Sequence, residues 1–173
     1  MAHFRAGFYG VCAVLLIVLA GLAGWPRTWL AVRDAEGLRY AFVVQGDSRF
    51  SLAWMHSVEK ENWVETFRID DGSIVLVSTR FKTFGAGVPE RAGHETRLEN
   101  GWVVMDAIER VVDPLAVQAA SAEHYRMRYG GRWFALSQNG EAPIMSFAVR
   151  QGTVIGMWAG IVGAWRAPDT GKP

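Results

Sequence analysis

This sequence has only one cysteine and almost no net charge. Its single cysteine, Cys12, excludes a disulfide within the chain. It has 18 basic and 17 acidic side chains, which gives a formal net charge of +1. A nucleic-acid-binding surface needs an excess of Lys and Arg to neutralise phosphates, so this balance argues against nucleic acid as a partner. No run of like charges marks a polybasic contact with lipid headgroups.

Charge is also missing from the first part of the chain. Residues 6–26 carry no charged side chain, and as a helix these 21 residues would reach roughly 31 Å, about the thickness of a bilayer's hydrocarbon core. Arg5 precedes the run, and Trp25 and Trp29 follow it, where indole rings favour the opposite membrane interface. We therefore expect one N-terminal helix that acts as a membrane anchor or as a signal segment.

Two fates of this segment stay open. An uncleaved signal anchor accounts for its full length, whereas Gly21-Leu22-Ala23 has the small residues of a signal-peptide exit. Both place the rest of the chain on the periplasmic side of the inner membrane. We predict a signal anchor or signal peptide at 1–26, a linker at 27–37, a β-rich extracytoplasmic domain at 38–166 and a flexible tail at 167–173.

A second uncharged run covers residues 151–165. As a helix it would span only about 22 Å, which is too short to cross a bilayer. It contains Gly152, Gly156, Gly160 and Gly163, and glycine disfavours helix. We predict one or two core strands with a turn, with a segment lying on the membrane as the alternative.

The body of the chain has the pattern of antiparallel β structure. Short stretches rich in Val, Phe, Tyr, Trp and Thr are separated by Gly, Asp or Asn. These stretches are 38–44, 49–58, 63–69, 74–81, 125–129, 132–136 and 144–149. The region 92–120 is less clear, and 107–112 fits either a helical turn or a strand. The predicted fold is all-β, a mainly antiparallel sandwich or partly closed barrel.

The segment 50–69 predicts the most specific contact. Alternate residues of a strand share a face, and the large apolar residues Leu52, Trp54, Trp63, Phe67 and Ile69 all lie on the buried faces of two strands. A four-residue loop at 59–62 would pair those faces. It would place Trp54 opposite Phe67, Val58 opposite Trp63, and His56 opposite Glu65.

For the His56–Glu65 pair we favour a buried structural role, because buried polar groups need hydrogen-bond partners. A ligand- or partner-facing role and general acid–base chemistry are the alternatives. Strand parity puts Ser57 and Glu59 on the other face from His56, which argues against a nucleophile–base pair and against a metal site there. We expect no catalytic residue, no metal and no cofactor.

Two further features are candidate contact sites. Gly85-Ala86-Gly87 precedes Val88-Pro89 with no helix start behind it, so a tight turn is favoured over a phosphate-binding loop. Glu59-Lys60-Glu61 forms a charged hairpin tip where a partner could dock. The tentative ligand- or partner-binding residues are His56, Glu59, Lys60, Glu65, Gly85 and Gly87.

Several of these motifs resemble a known family. Trp54-Met55-His56-Ser57-Val58-Glu59-Lys60, then Glu65, then Phe84-Gly85-Ala86-Gly87-Val88-Pro89, are similar to the pattern of the DUF1850 family, over about 38–149. The resemblance implies an exported or membrane-attached protein associated with TAXI-type tripartite ATP-independent periplasmic (TRAP) transporters, in a family without an established activity. The family's cysteine pair is absent here, since Ser137 and Glu141-Ala142 occupy the matching stretch.

These observations lead to one functional prediction and its rivals. We expect a non-enzymatic envelope accessory protein that contacts the TRAP transporter permease or its solute-binding protein, and the membrane through its N-terminal helix. The alternative is an independent exported module that binds a small ligand. An exported hydrolase comes third, because the sequence has no nucleophile–base pair on one face and no nucleophile-elbow motif.

Overall fold

The computed structural model describes residues 2–84, 92–138 and 140–166. Two α-helices flank a body of eleven strands in the described part of the chain, and a short 3₁₀ helix (Ser121–Glu123) lies between the eighth and ninth strands. In chain order the elements are α1 (Ala2–Gly24), β1 (Arg27–Asp34), β2 (Gly37–Val43), β3 (Arg49–Met55), β4 (Asn62–Asp70), β5 (Ser73–Phe81), β6 (Glu95–Glu99), β7 (Trp102–Val111), β8 (Leu115–Gln118), β9 (Arg126–Tyr129), β10 (Arg132–Ala135), β11 (Ile144–Gly152) and α2 (Val154–Arg166).

The strands form two antiparallel sheets. One has four strands in the order β2-β1-β11-β8, and the other has seven in the order β10-β9-β3-β4-β5-β7-β6. Within the described residues the sheets face each other without closing into a barrel. The prediction of a mainly antiparallel, sandwich-like fold is confirmed. The unclear region 92–120 supplies β6, β7 and β8, so the stretch 107–112 is mostly strand.

The core lies between the two sheets and includes a stack of phenylalanine rings. Phe50 lies 4.9 Å from Phe67 in its own sheet and 5.7 Å from Phe147 in the opposite sheet, centroid to centroid. All three side chains are almost fully buried. Burial of rings of this size supplies much of the free energy that holds two sheets together.

The predicted linker at 27–37 is wrong. Most of it is β1, which lies between β2 and β11 and places Leu30 and Val32 in the core. The charged residues Arg27, Arg33 and Asp34 favoured a linker over a buried strand. They lie at the ends of a strand whose centre is completely buried.

The second uncharged run also differs from its prediction. β11 ends at Gly152, and the run continues as α2 instead of further strands. Thr153 caps the helix by accepting a hydrogen bond from Gly156 N–H at 3.1 Å. A Cβ on Gly160 would lie 3.2 Å from Leu38 Cδ2, so the missing side chain lets the helix sit close to β2. Glycine at position 160 therefore allows close packing of the helix, although the glycines of this run predicted that no helix would form.

The predicted N-terminal helix is present as α1, and its main contacts with another element are to α2. The side chains of Val14, Ile17 and Leu22 are more than half exposed. Among the described residues, no helix meets the combined length and apolarity of a membrane span.

The sandwich has two distinct ends. At the proximal end α1 leads into Arg27, and two hydrogen bonds, from Val44 N–H to Thr28 O (2.9 Å) and from Ile69 N–H to Ser48 O (3.0 Å), place the start of β3 and the end of β4 there. β3 then runs away from this end over seven residues, ~23 Å. The turn between β3 and β4 therefore lies at the distal end, opposite the point where α1 joins.

Candidate functional site

The register of the β3–β4 hairpin differs from the prediction. Trp54 pairs with Trp63, and Leu52 pairs with Glu65. His56 continues the ladder by donating its N–H to Glu61 O at 2.8 Å. The predicted opposition of His56 and Glu65 is therefore wrong, although both lie on the face that carries the apolar residues, as predicted.

The position of the turn explains this shift. The turn comprises residues 57–60, where Lys60 has φ +57° and donates its N–H to His56 O at 3.0 Å. The predicted loop at 59–62 has the same even length. Parity fixes which residues share a face, but it leaves the turn free to move by two residues along each strand.

His56 instead has Glu59 as its partner. The Glu59 carboxylate contacts His56 Nδ1, and the two side chains are only 16% and 18% exposed. The prediction that parity separates these residues is wrong, because Glu59 lies in the turn and strand alternation does not apply to it. Val58 N–H also donates to Nδ1 at 3.4 Å, so two groups of the turn fix the orientation of the ring.

The imidazole also ends a row of stacked rings, which we call the aromatic row: Tyr125, Trp54, Trp63 and His56. Neighbouring ring centroids are 5.3, 5.5 and 5.5 Å apart along the row, and each pair is stacked. Trp63 Nε1–H donates to the buried Thr79 Oγ1 at 2.7 Å, which anchors the row to β5. Of the predicted core residues, Leu52, Trp63, Phe67 and Ile69 are buried, whereas Trp54 is only partly buried.

Glu65 lies two residue pairs further along the β3–β4 ladder than the tryptophans. Burial raises the pKa of its carboxyl group, and the charge of Arg110 offsets part of that effect. Burial, followed by the charges of Glu123 and Glu65, raises the pKa of Tyr125 to about 12. Glu65 is thus a feature separate from the His56–Glu59 pair.

Of the remaining predicted site residues, Lys60 is the one that the structure describes. Lys60 is exposed at the tip of the hairpin. Gly85 and Gly87 lie outside the described residues, so their predicted turn stays a prediction. On either side of that segment, Phe84 packs against Phe81 (5.2 Å between centroids), and Ala92 packs against the cluster that contains Trp63 and Phe81.

A hydrogen bond connects the hairpin tip to the strand that precedes this segment. Thr83 Oγ1–H donates to the Glu61 carboxylate, just beyond the end of β5. Within residues 2–84, 92–138 and 140–166, no three His, Cys, Asp or Glu side chains are grouped as metal ligands would be.

Sequence reasoning missed a groove at the distal end. It has a volume of about 680 Å³, and its lining includes His124, Tyr125, Trp133 and Ser137. Trp133 is 46% exposed, and the guanidinium groups of Arg126 and Arg128 lie over its ring. The signal available in the sequence was the Gly130-Gly131 hairpin, which places Trp133 on the short edge strand β10.

Comparisons with known proteins identify the family. No curated protein and no solved structure matches this chain. A family model described as "Domain of unknown function (DUF1850)" matches residues 50–136. That span is half of the chain and holds the His56–Glu59 pair, the aromatic row and Glu65. The chain therefore belongs to the DUF1850 family.

Proposed function

We propose that this protein is a non-enzymatic accessory protein of the cell envelope that acts by binding a partner protein at its distal end. One observation carries the proposal. The turn that bears the His56–Glu59 pair, Lys60 and Glu61 lies at the end of the sandwich opposite α1. An exposed charged side chain such as Lys60, on a turn held by a hairpin, is suited to recognising a partner.

The proposal includes attachment to the inner membrane through α1. Between Arg5 and Arg27 the sequence has no charge, and the apolar side chains of α1 from Phe8 to Leu22 are largely exposed. Leaving these side chains in water is unfavourable, and lipid would remove them from it. The sandwich would then stand on the periplasmic side, with the hairpin turn ~23 Å from the end that α1 joins.

The proposed partner is a component of a TAXI-type TRAP transporter. This part of the proposal rests on what the resemblance to the DUF1850 family implies, an association with such transporters. With α1 at the membrane, the distal turn would face the aqueous compartment. That geometry favours the solute-binding protein over the permease as the component that the turn contacts.

Site-specific photo-crosslinking tests the proposal with a matched control. A photo-reactive amino acid is placed at Lys60 or, in a second variant, at Asp71, in the full chain expressed in its own envelope. Both residues lie in turns next to β4 with positive φ (57° and 48°), but at opposite ends of the sandwich. We expect a crosslink to the solute-binding protein from position 60 and none from position 71.

The other outcomes are equally informative. A crosslink to the permease from position 60 would keep the accessory role and correct the choice of partner. Equal crosslinking from positions 60 and 71 would contradict a specific distal contact. If neither position is crosslinked to a transport component, the accessory function is rejected.

An independent small-ligand binding module is the second candidate. The groove lined by Tyr125 and Trp133 favours it, because about 680 Å³ is within the range of small-molecule sites. If a small ligand binds in this groove, it should raise the melting temperature of the protein. Trp133→Ala should abolish that rise and leave crosslinking from position 60 unchanged.

A further inference from the structure

The outer face of the seven-stranded sheet, away from the four-stranded sheet, carries an unusual row of residues. Ser51, Thr66, Ser78 and Asp106 lie opposite one another on β3, β4, β5 and β7, and Arg128 on β9 extends the row past Ser51. The hydroxyl oxygens of Ser51 and Thr66 are 3.1 Å apart and hydrogen-bonded. These short side chains form the floor of a groove of about 490 Å³.

Cations flank this floor on two sides. On one side the Arg80 guanidinium lies 5.0 Å, and the Lys82 ammonium 5.6 Å, from the ring centre of Trp102. On the other side the Arg126 and Arg128 guanidinium groups lie 4.7 and 5.9 Å from the ring of Trp133. Such stacking holds a cation in place without neutralising it.

The described carboxylates do not compensate these charges. None of the ion pairs among the described residues includes Arg80, Lys82, Arg126 or Arg128. Asp106 at the end of the row is already paired with Arg97. Burial raises the pKa of Asp106, but hydrogen bonds from Arg97 and Ser78 outweigh that effect, so the net shift is downward and Asp106 stays ionised. The lining of the groove has three arginines (Arg80, Arg97 and Arg128) against two carboxylates (Glu99 and Asp106), and both carboxylates pair with Arg97, so a net positive charge remains on Arg80 and Arg128.

We propose that this groove binds a small organic oxyanion, a solute bearing carboxylate or phosphate groups. Arg80 and Arg128 both line it and present planar guanidinium forks suited to such groups. The hydroxyls of Ser51, Thr66 and Ser78 add hydrogen-bond donors between them. β9 and β5 are three strand spacings apart, about 14–15 Å, which two arginine side chains and one small solute can bridge. A groove of about 490 Å³ is the size of a small-molecule site.

The site is separate from the proposed partner contact. It lies on the outer face of the sheet, whereas the His56–Glu59 pair packs against the inner-face residue Trp63. Neither proposal requires the other. A variant that loses anion binding should crosslink from position 60 as before, and a variant that loses the crosslink should still bind the anion.

Calorimetric titration of the full chain in detergent micelles tests the site. The probes are succinate, inorganic phosphate, poly-glutamate and succinamide, the neutral diamide that matches succinate in shape. We expect saturable binding of succinate or phosphate and none of succinamide. The comparison of the two anions shows which oxyanion group the site prefers.

Charge-removing variants locate the binding. Arg80→Gln and Arg128→Gln should each weaken anion binding about tenfold or more, the usual consequence of losing a charge-assisted hydrogen bond. The matched control is Arg150→Gln, which removes one exposed arginine from the four-stranded sheet. The control should bind the anion as tightly as the unmodified protein.

Arg80→Lys keeps the positive charge but not the planar guanidinium fork, and we expect a smaller loss of anion affinity. Thermal melts identify any variant that fails to fold, and Ser51→Ala then gives a milder probe of the same groove.

Four results would overturn the proposal. They are an equal loss in the Arg150→Gln variant, equal binding of succinamide, an absence of anion binding at millimolar concentration, and saturable binding of poly-glutamate alone. The last would make the face a docking surface for an acidic protein.

Discussion

The inner face of the seven-stranded sheet has two halves that differ in character. The proximal half, around Phe50 and Phe67, is apolar and packs against Phe147 of the other sheet. The distal half contains the aromatic row, the half-buried Glu65 and the His56–Glu59 pair. Ionisable groups placed among aromatic rings cost free energy that apolar residues would not. The difference indicates that burial of the proximal half stabilises the fold, whereas the ionisable groups of the distal half do not contribute to stability in this way.

The sizes of the two sheets account for this division. Four strands cannot cover seven, so part of the larger sheet's inner face needs another cover. A second cluster of Trp63, Phe81, Val103 and Met105 lies there, apart from the main core. Side chains at the edge of the main core meet water on one side, and charged groups are tolerated at such positions.

The largest expected effect comes from the proximal half. Phe147→Ala should lower the free energy of unfolding by about 3–5 kcal/mol, because Phe147 is fully buried between the sheets. Trp54→Ala in the distal half should cost less, since Trp54 is only partly buried. Urea denaturation of both variants measures the contrast. Equal losses would show that the aromatic row is as much a part of the core as the phenylalanine stack.

A smaller effect of opposite sign is expected at Glu65. Because burial raises the pKa of Glu65 in the folded state, its ionisation opposes folding. This penalty is absent below the unfolded-state pKa, near 4.5, and grows as the pH rises through the folded-state value. Glu65→Gln should therefore stabilise the protein at about pH 8, and much less at about pH 4. Denaturation at both pH values tests this, and a gain independent of pH would contradict it.

The sequence predicted most of the strands and the faces of the β3–β4 hairpin, since alternation of apolar residues reports faces directly. It did not predict the register. The left-handed conformation of Lys60, which ends the turn, is uncommon for lysine and carries no clear signal in the sequence. Strand β1 was missed because its buried centre is short and its ends are charged. Helix α2 was missed because the intrinsic preference of glycine was weighed without the packing that offsets it.

The smallest expected effect, at His56, decides whether the distal half contains one polar site or two. A double-mutant cycle of His56→Ala and Glu59→Gln should give a coupling energy of about 0.5–1 kcal/mol, as for two polar side chains in contact. The cycle of His56→Ala and Glu65→Gln should be additive within about 0.3–0.5 kcal/mol. Glu65 lies four residues along β4 from Glu61, the residue opposite His56, which is roughly 13 Å.

Urea denaturation of the five variants in the two cycles gives both coupling energies, and the crosslink from Lys60 gives a functional readout on the same proteins. If the His56–Glu59 pair positions the turn for a partner, His56→Ala should reduce the crosslink far more than its small loss of stability explains. Glu65→Gln should leave the crosslink intact, because Glu65 lies away from the turn. Coupling between His56 and Glu65 would instead join the two features into one network, and the distal half would then act as a single unit. If the crosslink yield falls only as much as the loss of stability explains, the His56–Glu59 pair has only a structural role in the turn.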